Sequence, residues 1–462
     1  MPQPGLLVCV LVSSVTGTGL GFAAGLVPGL HMNNIAAALC AYSSLAASAL
    51  GTVGGYFMVS DTALLISCFI SAALVAHLFA QSITSTYVGI PSEDVVSVLP
   101  AHRLAKAGFG RIAVLASADG CMAGVMVSLA LLLPACVIMG PPVGLYSWLR
   151  RSMVILVLLF STILLTSEAV QHPSGGAGQR AARILKGLAV FLTAGALGVV
   201  VLQSNYFASR LPDFPWILHG FVVKSSLLLP MFAGLFGVPG LLLSLGSRSV
   251  TDLSSGSKII LHHKATTRDL ALSMFGGLVV GWLPGMTSGS AVALCSPRTK
   301  EVSGVCDFSS ALRFIWLYSA ISASGSVFAV GALFTIMRAR SGSMDAIESF
   351  LGSKSVSQGW IVNLLPIISI ALAMLVAALI SLLLLRRINE RLSKLRSLLC
   401  SRELAISSLV FVSGLSLALT GVRGALLMAT ATVLGIIPPL YGIRRIQLMG
   451  CLLIPIMITL LE

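Results

Sequence analysis

Residues 21–29 read Gly-Phe-Ala-Ala-Gly-Leu-Val-Pro-Gly, and residues 277–285 read Gly-Leu-Val-Val-Gly-Trp-Leu-Pro-Gly. Both follow the pattern Gly-x-x-x-Gly-x-x-Pro-Gly inside an apolar run. Both lead into small or polar residues: Leu30-His31-Met32-Asn33-Asn34 after the first, and Met286-Thr287-Ser288-Gly289-Ser290 after the second. A proline removes a backbone donor and breaks the helical ladder. A half-helix that starts after the break exposes free N–H groups and carries about half a positive charge at that end. Such an end binds an anion without any basic side chain. Gly29, His31, Asn33 and Asn34 at the first break, and Gly285, Thr287, Ser288 and Ser290 at the second, are therefore the expected substrate-binding groups. Pro28 and Pro284 are the structural breaks. A plain kink, with polar residues satisfying the freed backbone, is the competing reading. The duplication favours a site, because Gly/Pro interruptions at matching positions in two halves point to the binding site of repeat-built transporters. No second His or carboxylate stands at ligand spacing from His31, so no metal site is expected.

The acidic residues add a second chemistry. Ser92, Glu93 and Asp94 lie in the semi-polar segment Gly89–Arg111, and Ser92 begins a helix-capping pattern. If this segment re-enters the membrane, its helix start faces the first break. Ser343-Met344-Asp345 repeats the pattern at an offset of 251 residues. Asp119, in Ala-Ser-Ala-Asp-Gly, reads as the most deeply embedded acid. Intramembrane carboxylates are costly and are usually functional. Asp119, Asp94 and Asp345 are the expected coupling-ion residues, for Na⁺ or H⁺. Glu168 and Asp61 border apolar runs and are expected at interfaces. No G-x-x-x-x-G-K-[ST] and no H-E-x-x-H occurs, so neither a nucleotide-driven motor nor that zinc-protease arrangement is expected.

These residues require a membrane scaffold. Of 462 residues, 56% are hydrophobic and only 10% are charged, with a net charge of +14. So few charges cannot cover a soluble fold of this size. The basic residues sit in short blocks between apolar runs and are not interleaved with aromatics, so topology rather than nucleic-acid binding accounts for them. The nine cysteines include no CxxC pair and read as small apolar residues. The first apolar run lacks a basic n-region and is expected to remain as a helix. Of the five tryptophans, Trp148, Trp216, Trp316 and Trp360 fit interfacial anchoring, and Trp282 lies inside the second break.

By the criterion of about 20 apolar residues per span, the chain is an all-α polytopic integral membrane protein with roughly 10 to 12 membrane segments. Apolar runs fall at about Leu6–Leu50, Ala63–Thr84, Ile112–Met139, Met153–Thr166, Gly187–Gln203, Ser225–Leu245, Ala311–Met337 and Trp360–Leu385, followed by two or three closing segments. The segments 171–186, 247–269 and 386–402 read as basic cytoplasmic loops. The organisation expected is a first repeat over 1–150, a middle scaffold over 151–265, a second repeat over 266–390, and C-terminal membrane segments over 391–462. Each repeat carries a broken helix and a re-entrant segment. Repeats of this kind are commonly inverted in the membrane and place a polar cavity near the midplane.

The motif pair also resembles the TctA family, the large membrane subunit of tripartite tricarboxylate transporters. The resemblance rests on GLVPGLHMNN at 25–34, on GIPSEDVVSVLPAHRLAKAGFGRIAVLASADG at 89–120 and on GWLPGMTSGSAVAL at 281–294. RARSG at 338–342 and the tail at 434–455 are similar to its shorter, mainly archaeal relatives. The resemblance implies Na⁺- or H⁺-coupled uptake of di- or tricarboxylates across the cytoplasmic membrane, with a small membrane subunit and an extracytoplasmic binding protein as partners. This chain has GIPSED where the family loop typically reads PGTPAA. Membrane lipid and a small anionic substrate are the other expected partners, and a homodimer is compatible with the sequence. No enzyme activity, cofactor or nucleic-acid partner is expected. An integral membrane enzyme would need a paired acid or metal constellation, and a passive anion channel is the remaining alternative.

Overall fold

A computed structural model of the chain describes residues 4–27, 32–41, 43–56, 61–87, 98–170, 176–203, 227–246, 265–283, 286–295, 308–399 and 402–461. The regular structure among these residues is entirely helical. The helices are α1 (Pro4–Gly25), α2 (Met32–Ala41), α3 (Ser43–Tyr56), α4 (Thr62–Tyr87), α5 (Val98–Lys106), α6 (Gly110–Met139), α7 (Leu145–Arg151), α8 (Met153–Val170) and α9 (Ala177–Gln203). Then come α10 (Leu228–Phe232), a π turn (Ala233–Gly237), α11 (Val238–Gly246), α12 (Thr267–Trp282), α13 (Ser288–Cys295), α14 (Phe308–Ile336), α15 (Gly342–Leu351) and α16 (Ser353–Val356). α17 (Leu364–Leu399), α18 (Arg402–Leu440), a 3₁₀ turn (Arg445–Met449) and α19 (Gly450–Leu461) complete the order.

Among the described residues seven helices are long and apolar enough to cross a bilayer. The bent pair of α7 with the start of α8, at 69°, would make an eighth, and three shorter apolar helices accompany them. The protein is thus a multi-pass, all-α membrane protein. Two basic segments read as loops are helical instead. α9 begins at Ala177 and so takes in Arg180, Arg183 and Lys186, and α17 continues through Arg386, Arg387, Arg391, Lys394 and Arg396. Arg, Lys, Gln and Ala are good helix formers, so these helices continue past the apolar layer rather than stopping at it.

Two sets of helices share an outline of long, short, long, short, long: α1, α2, α4, α5, α6 and α12, α13, α14, α15, α17, with α3 additional in the first and α16 in the second. Small residues bring corresponding pairs into close contact. Gly17 lies on the Phe69 backbone, Gly21 on Ala73 and Gly25 on His77 and Ala80, so α1 runs parallel to α4. Gly276 meets Ile321, Gly277 meets Ser324 and Gly281 meets Phe328, so α12 runs parallel to α14 in the same manner. Gly120 on Trp316 and Gly124 on Ala320 set α6 parallel to α14.

The corresponding helices α6 and α17 run antiparallel. Trp360 Nε1, just ahead of α17, donates to the Pro141 carbonyl just beyond α6, while Asn389 near the other end of α17 donates to the Arg111 carbonyl at the start of α6. α1 stops beside Ala80, about two turns before α4 ends, and α12 stops a similar distance before the end of α14. Helices α8, α9 and α10 pack with α18 and α19 around a separate apolar core that includes Met153, Phe191, Met231 and Leu453, while Val238 and Leu241 of α11 join smaller clusters with Leu409 of α18.

Candidate functional site

The second break is partly within the described residues. Leu283 follows α12 in extended backbone, its N–H still bonded to the Val279 carbonyl at 3.0 Å. Pro284 and Gly285 lie outside the described residues. Thr287 and Ser290 then cap α13 reciprocally. The Thr287 N–H donates to Ser290 Oγ at 2.9 Å, and the Ser290 N–H donates to Thr287 Oγ1 at 3.3 Å. This satisfies donors that a helix start leaves open. Ser290 is buried, whereas Thr287 and Ser288 are half-buried. The start of α13 is thus capped by its own polar residues.

At the first break, Pro28, Gly29 and His31 lie outside the described residues. α1 closes with tightened bonds from Leu26 to Ala23 and from Val27 to Ala24, and Thr84 Oγ1 of α4 donates to the Gly25 carbonyl at 3.4 Å. Asn33 and Asn34 fall in the first turn of α2, and their side chains are outside the description. α2 packs against α15, whose first turn carries Asp345 and whose start is capped by Ser341 Oγ accepting from the Met344 N–H. The short helix after the first break is therefore packed on the short helix of the second set. Ser92 and Asp94 lie outside the described residues.

Asp119 sits in the third turn of α6. Its carboxylate is 35% exposed and lies 3.2 Å from Arg386 Nη2 of α17. It is not the most buried acid: Asp269 and Glu168 each have a side chain only 1% exposed. Asp269 accepts from Arg313 Nε of α14 at 2.7 Å and forms a capping box with Thr266. Glu168, expected at an interface, accepts from Arg444 Nε at 3.1 Å and from Gln447 Nε2 at 3.0 Å. An arginine on a distant element makes each burial possible, and sequence spacing does not reveal that partner. Trp316 is likewise interior at 2% exposure, held where α6 and α14 pack closely at Gly120.

A small pocket of about 30 Å³ lies where α4, α5 and α6 meet α14. Its polar lining includes Gln81, Ser82 and Ser85 of α4, Ser117 of α6, and Ser319 and Ser322 of α14. Ser82 Oγ donates to the Phe79 carbonyl at 2.6 Å, and Ser85 Oγ donates to the Ser82 carbonyl at 3.2 Å. Their protons are committed to backbone, so their lone pairs remain to accept. Gln81 Oε1 is buried with no hydrogen-bond partner among the described residues. No Lys, Arg, Asp or Glu lines the pocket. Acceptor oxygens at this depth suit a small cation or ordered water.

The pocket adjoins the first break through α4, because Gly25 packs on Ala80 and the Gln81 backbone. Sequence reasoning missed it. A signal was present in the hydroxyls of Gln81-Ser-Ile-Thr-Ser-Thr-Tyr87 and of Ser319-Ala-Ile-Ser322 inside apolar runs. Among the described residues no group of His, Cys, Asp and Glu could hold a metal ion.

A family model described as "Tripartite tricarboxylate transporter TctA family" matches residues 11–450, nearly the whole chain. No curated protein and no solved structure matches it.

Proposed function

Since the chain belongs to the TctA family, whose members are subunits of tripartite tricarboxylate transporters, we propose that it is a secondary active transporter. In this reading it moves a small di- or tricarboxylate-like anion across the cytoplasmic membrane, driven by Na⁺ or H⁺. The observation that carries the reading is the pairing of the two helix sets. α6 and α17 cross antiparallel, and the half-helix after the first break packs on the short helix of the other set. Repeats related in this way let one set move against the other around a site at their interface. The division into 1–150, 151–265, 266–390 and 391–462 is part of the proposal.

The anion is held, in this proposal, at the starts of α2 and α13. Gly29, His31, Asn33 and Asn34 act on one side, and Gly285, Thr287, Ser288 and Ser290 on the other, with Ser92 nearby. Asp119, Asp94 and Asp345 remain candidates for the coupling ion. The acceptor-lined pocket beside Gln81 is a further place for a small cation. A small membrane subunit and an extracytoplasmic binding protein complete the assembly.

Uptake of radiolabelled citrate and other di- and tricarboxylates into proteoliposomes tests this reading, with the binding protein supplied and Na⁺ and pH gradients imposed separately. Uptake above equilibrium under one gradient is expected, and its loss in Pro28→Ala ties it to the break. Uptake that ignores every ion gradient sinks the coupled mechanism. Single-channel currents would replace it with a channel.

A further inference from the structure

The packing group outside the two helix sets has a cationic surface of its own. α18 ends at Leu440, and Gly442, at φ +66°, turns the chain away in the left-handed conformation. The turn leaves Leu440 70% and Tyr441 63% exposed. The first turns of α9 lie against it. Arg183 Nη1 donates to the Gly442 carbonyl at 3.5 Å, and the Lys186 ammonium stands 6.0 Å from the centre of the Tyr441 ring. Arg444 and Arg445 follow directly in the chain.

The acid that the described residues place beside this turn is Glu168, and it is fully buried. It is held by Arg444 and by Gln447. That leaves Arg183, Lys186 and Arg445 without a carboxylate among the described residues. Arg445 is the telling one. It is only 9% exposed, and it has no ion pair or side-chain hydrogen bond among the described residues. An arginine so largely out of water without a counter-charge is costly, while its guanidinium nitrogens are not fully buried and so can be met from the surface. An anion from outside the chain would relieve the cost.

The location selects the anion. α9 and the second half of α18 are both membrane-spanning by length and hydropathy, and both have an end here. The cations therefore stand at one membrane–water boundary, beside the exposed side chains of Leu185, Leu440 and Tyr441. Cations at headgroup level next to apolar and aromatic groups match a molecule with an anionic head and hydrocarbon tails. We propose that Arg183, Lys186 and Arg445, with Tyr441, bind the phosphodiester headgroup of an anionic phospholipid, whose acyl chains run along Leu185 and Leu440.

The test uses the full chain purified in detergent and titrated with dioleoyl phosphatidylglycerol or dioleoyl phosphatidylcholine, with lipid retention read by native mass spectrometry. The wild type is expected to retain the anionic phosphatidylglycerol in preference, and to lose it as salt rises. Arg183→Gln and Lys186→Gln, on the outer face of α9, should each weaken retention about fivefold, from the usual worth of one cation near an anionic membrane. Arg445→Gln should weaken it at least as much. If that buried variant fails to fold, the α9 pair decides. Equal retention of both lipids by the wild type overturns the proposal, as does unchanged retention in the Arg183→Gln/Lys186→Gln variant. Thermal protection by inorganic phosphate equal to that by phosphatidylglycerol also overturns it, because the site would then serve a free anion.

Discussion

Ser117 Oγ lies 2.7 Å from Ser319 Oγ, a hydrogen bond between α6 of the first helix set and α14 of the second, inside the hydroxyl-lined pocket. Each hydroxyl is nearly buried, and Cys121 adjoins Ser319. The bond therefore couples pocket geometry to the contact between the sets. Ser117→Ala and Ser319→Ala should each cost about 1 kcal/mol of stability, and the double variant should cost clearly less than their sum. Thermal unfolding in detergent measures this. Additive losses would mean that the two hydroxyls do not share the bond.

Gly21 and Gly277 occupy matching places in the two motifs. A methyl on Gly21 would overlap the Ala73 carbonyl, and one on Gly277 would overlap the Ser324 hydroxyl. Gly21 meets rigid backbone. At Gly277 the Ser324 hydroxyl could turn only by giving up its bond to the Ser273 carbonyl, and the Ser324 Cβ stays 2.7 Å away whatever the rotamer. Gly21→Ala is expected to destabilise by about 3 kcal/mol and Gly277→Ala by about 2 kcal/mol. The ratio of folded protein recovered by size-exclusion chromatography after graded heating checks the order.

The Thr287–Ser290 cap predicts a separable effect. Removing both hydroxyls, in Thr287→Val with Ser290→Ala, should cost about 1 to 2 kcal/mol of stability as the start of α13 loosens. If that half-helix start holds the transported anion, the same variant should raise the KM for uptake several-fold. Proteoliposome kinetics beside a melting curve reads both quantities. An unchanged KM in a loosened variant removes α13 from the substrate site.

Asp119 is partly exposed and Arg386 more so, so their ion pair should contribute only about 1 kcal/mol. Asp119→Asn is therefore expected to fold normally. If Asp119 carries the coupling ion, uptake in that variant loses its response to the driving gradient while substrate binding persists. A gradient response equal to wild type assigns coupling elsewhere.

Glu168 presents the opposite case. Glu168→Gln removes the charge facing Arg444 inside the fold and should cost about 3 kcal/mol. Its effect on uptake should follow the amount of folded protein, with turnover per folded molecule unchanged. A coupling defect without loss of stability would assign Glu168 a part in transport.

Much of the scaffold is legible in the sequence because a bilayer demands long apolar runs. α4 and α6 lie where hydropathy places them, and the helices around Pro28 and Pro284 end at Gly25 and Trp282, just ahead of those prolines. The glycines of both motifs were legible as well, because close parallel packing of α1 on α4 and of α12 on α14 needs a small residue at the same spacing. Hydropathy could not show where α9 begins or where α17 ends, because helix propensity carries both through their basic residues.

Only the tertiary structure decided which charges are interior. Asp119 looked deepest because its neighbours in sequence are apolar, yet it reaches Arg386. Glu168 looked peripheral, yet Arg444 and Gln447 enclose it from 276 and 279 residues away. The hydroxyl pocket arises the same way, from three helices that bring scattered serines to one place. Apolar periodicity is a local property of the chain and can be read along it. Burial of a polar group depends on a partner supplied by another element, and that partner exists only once the helices have packed.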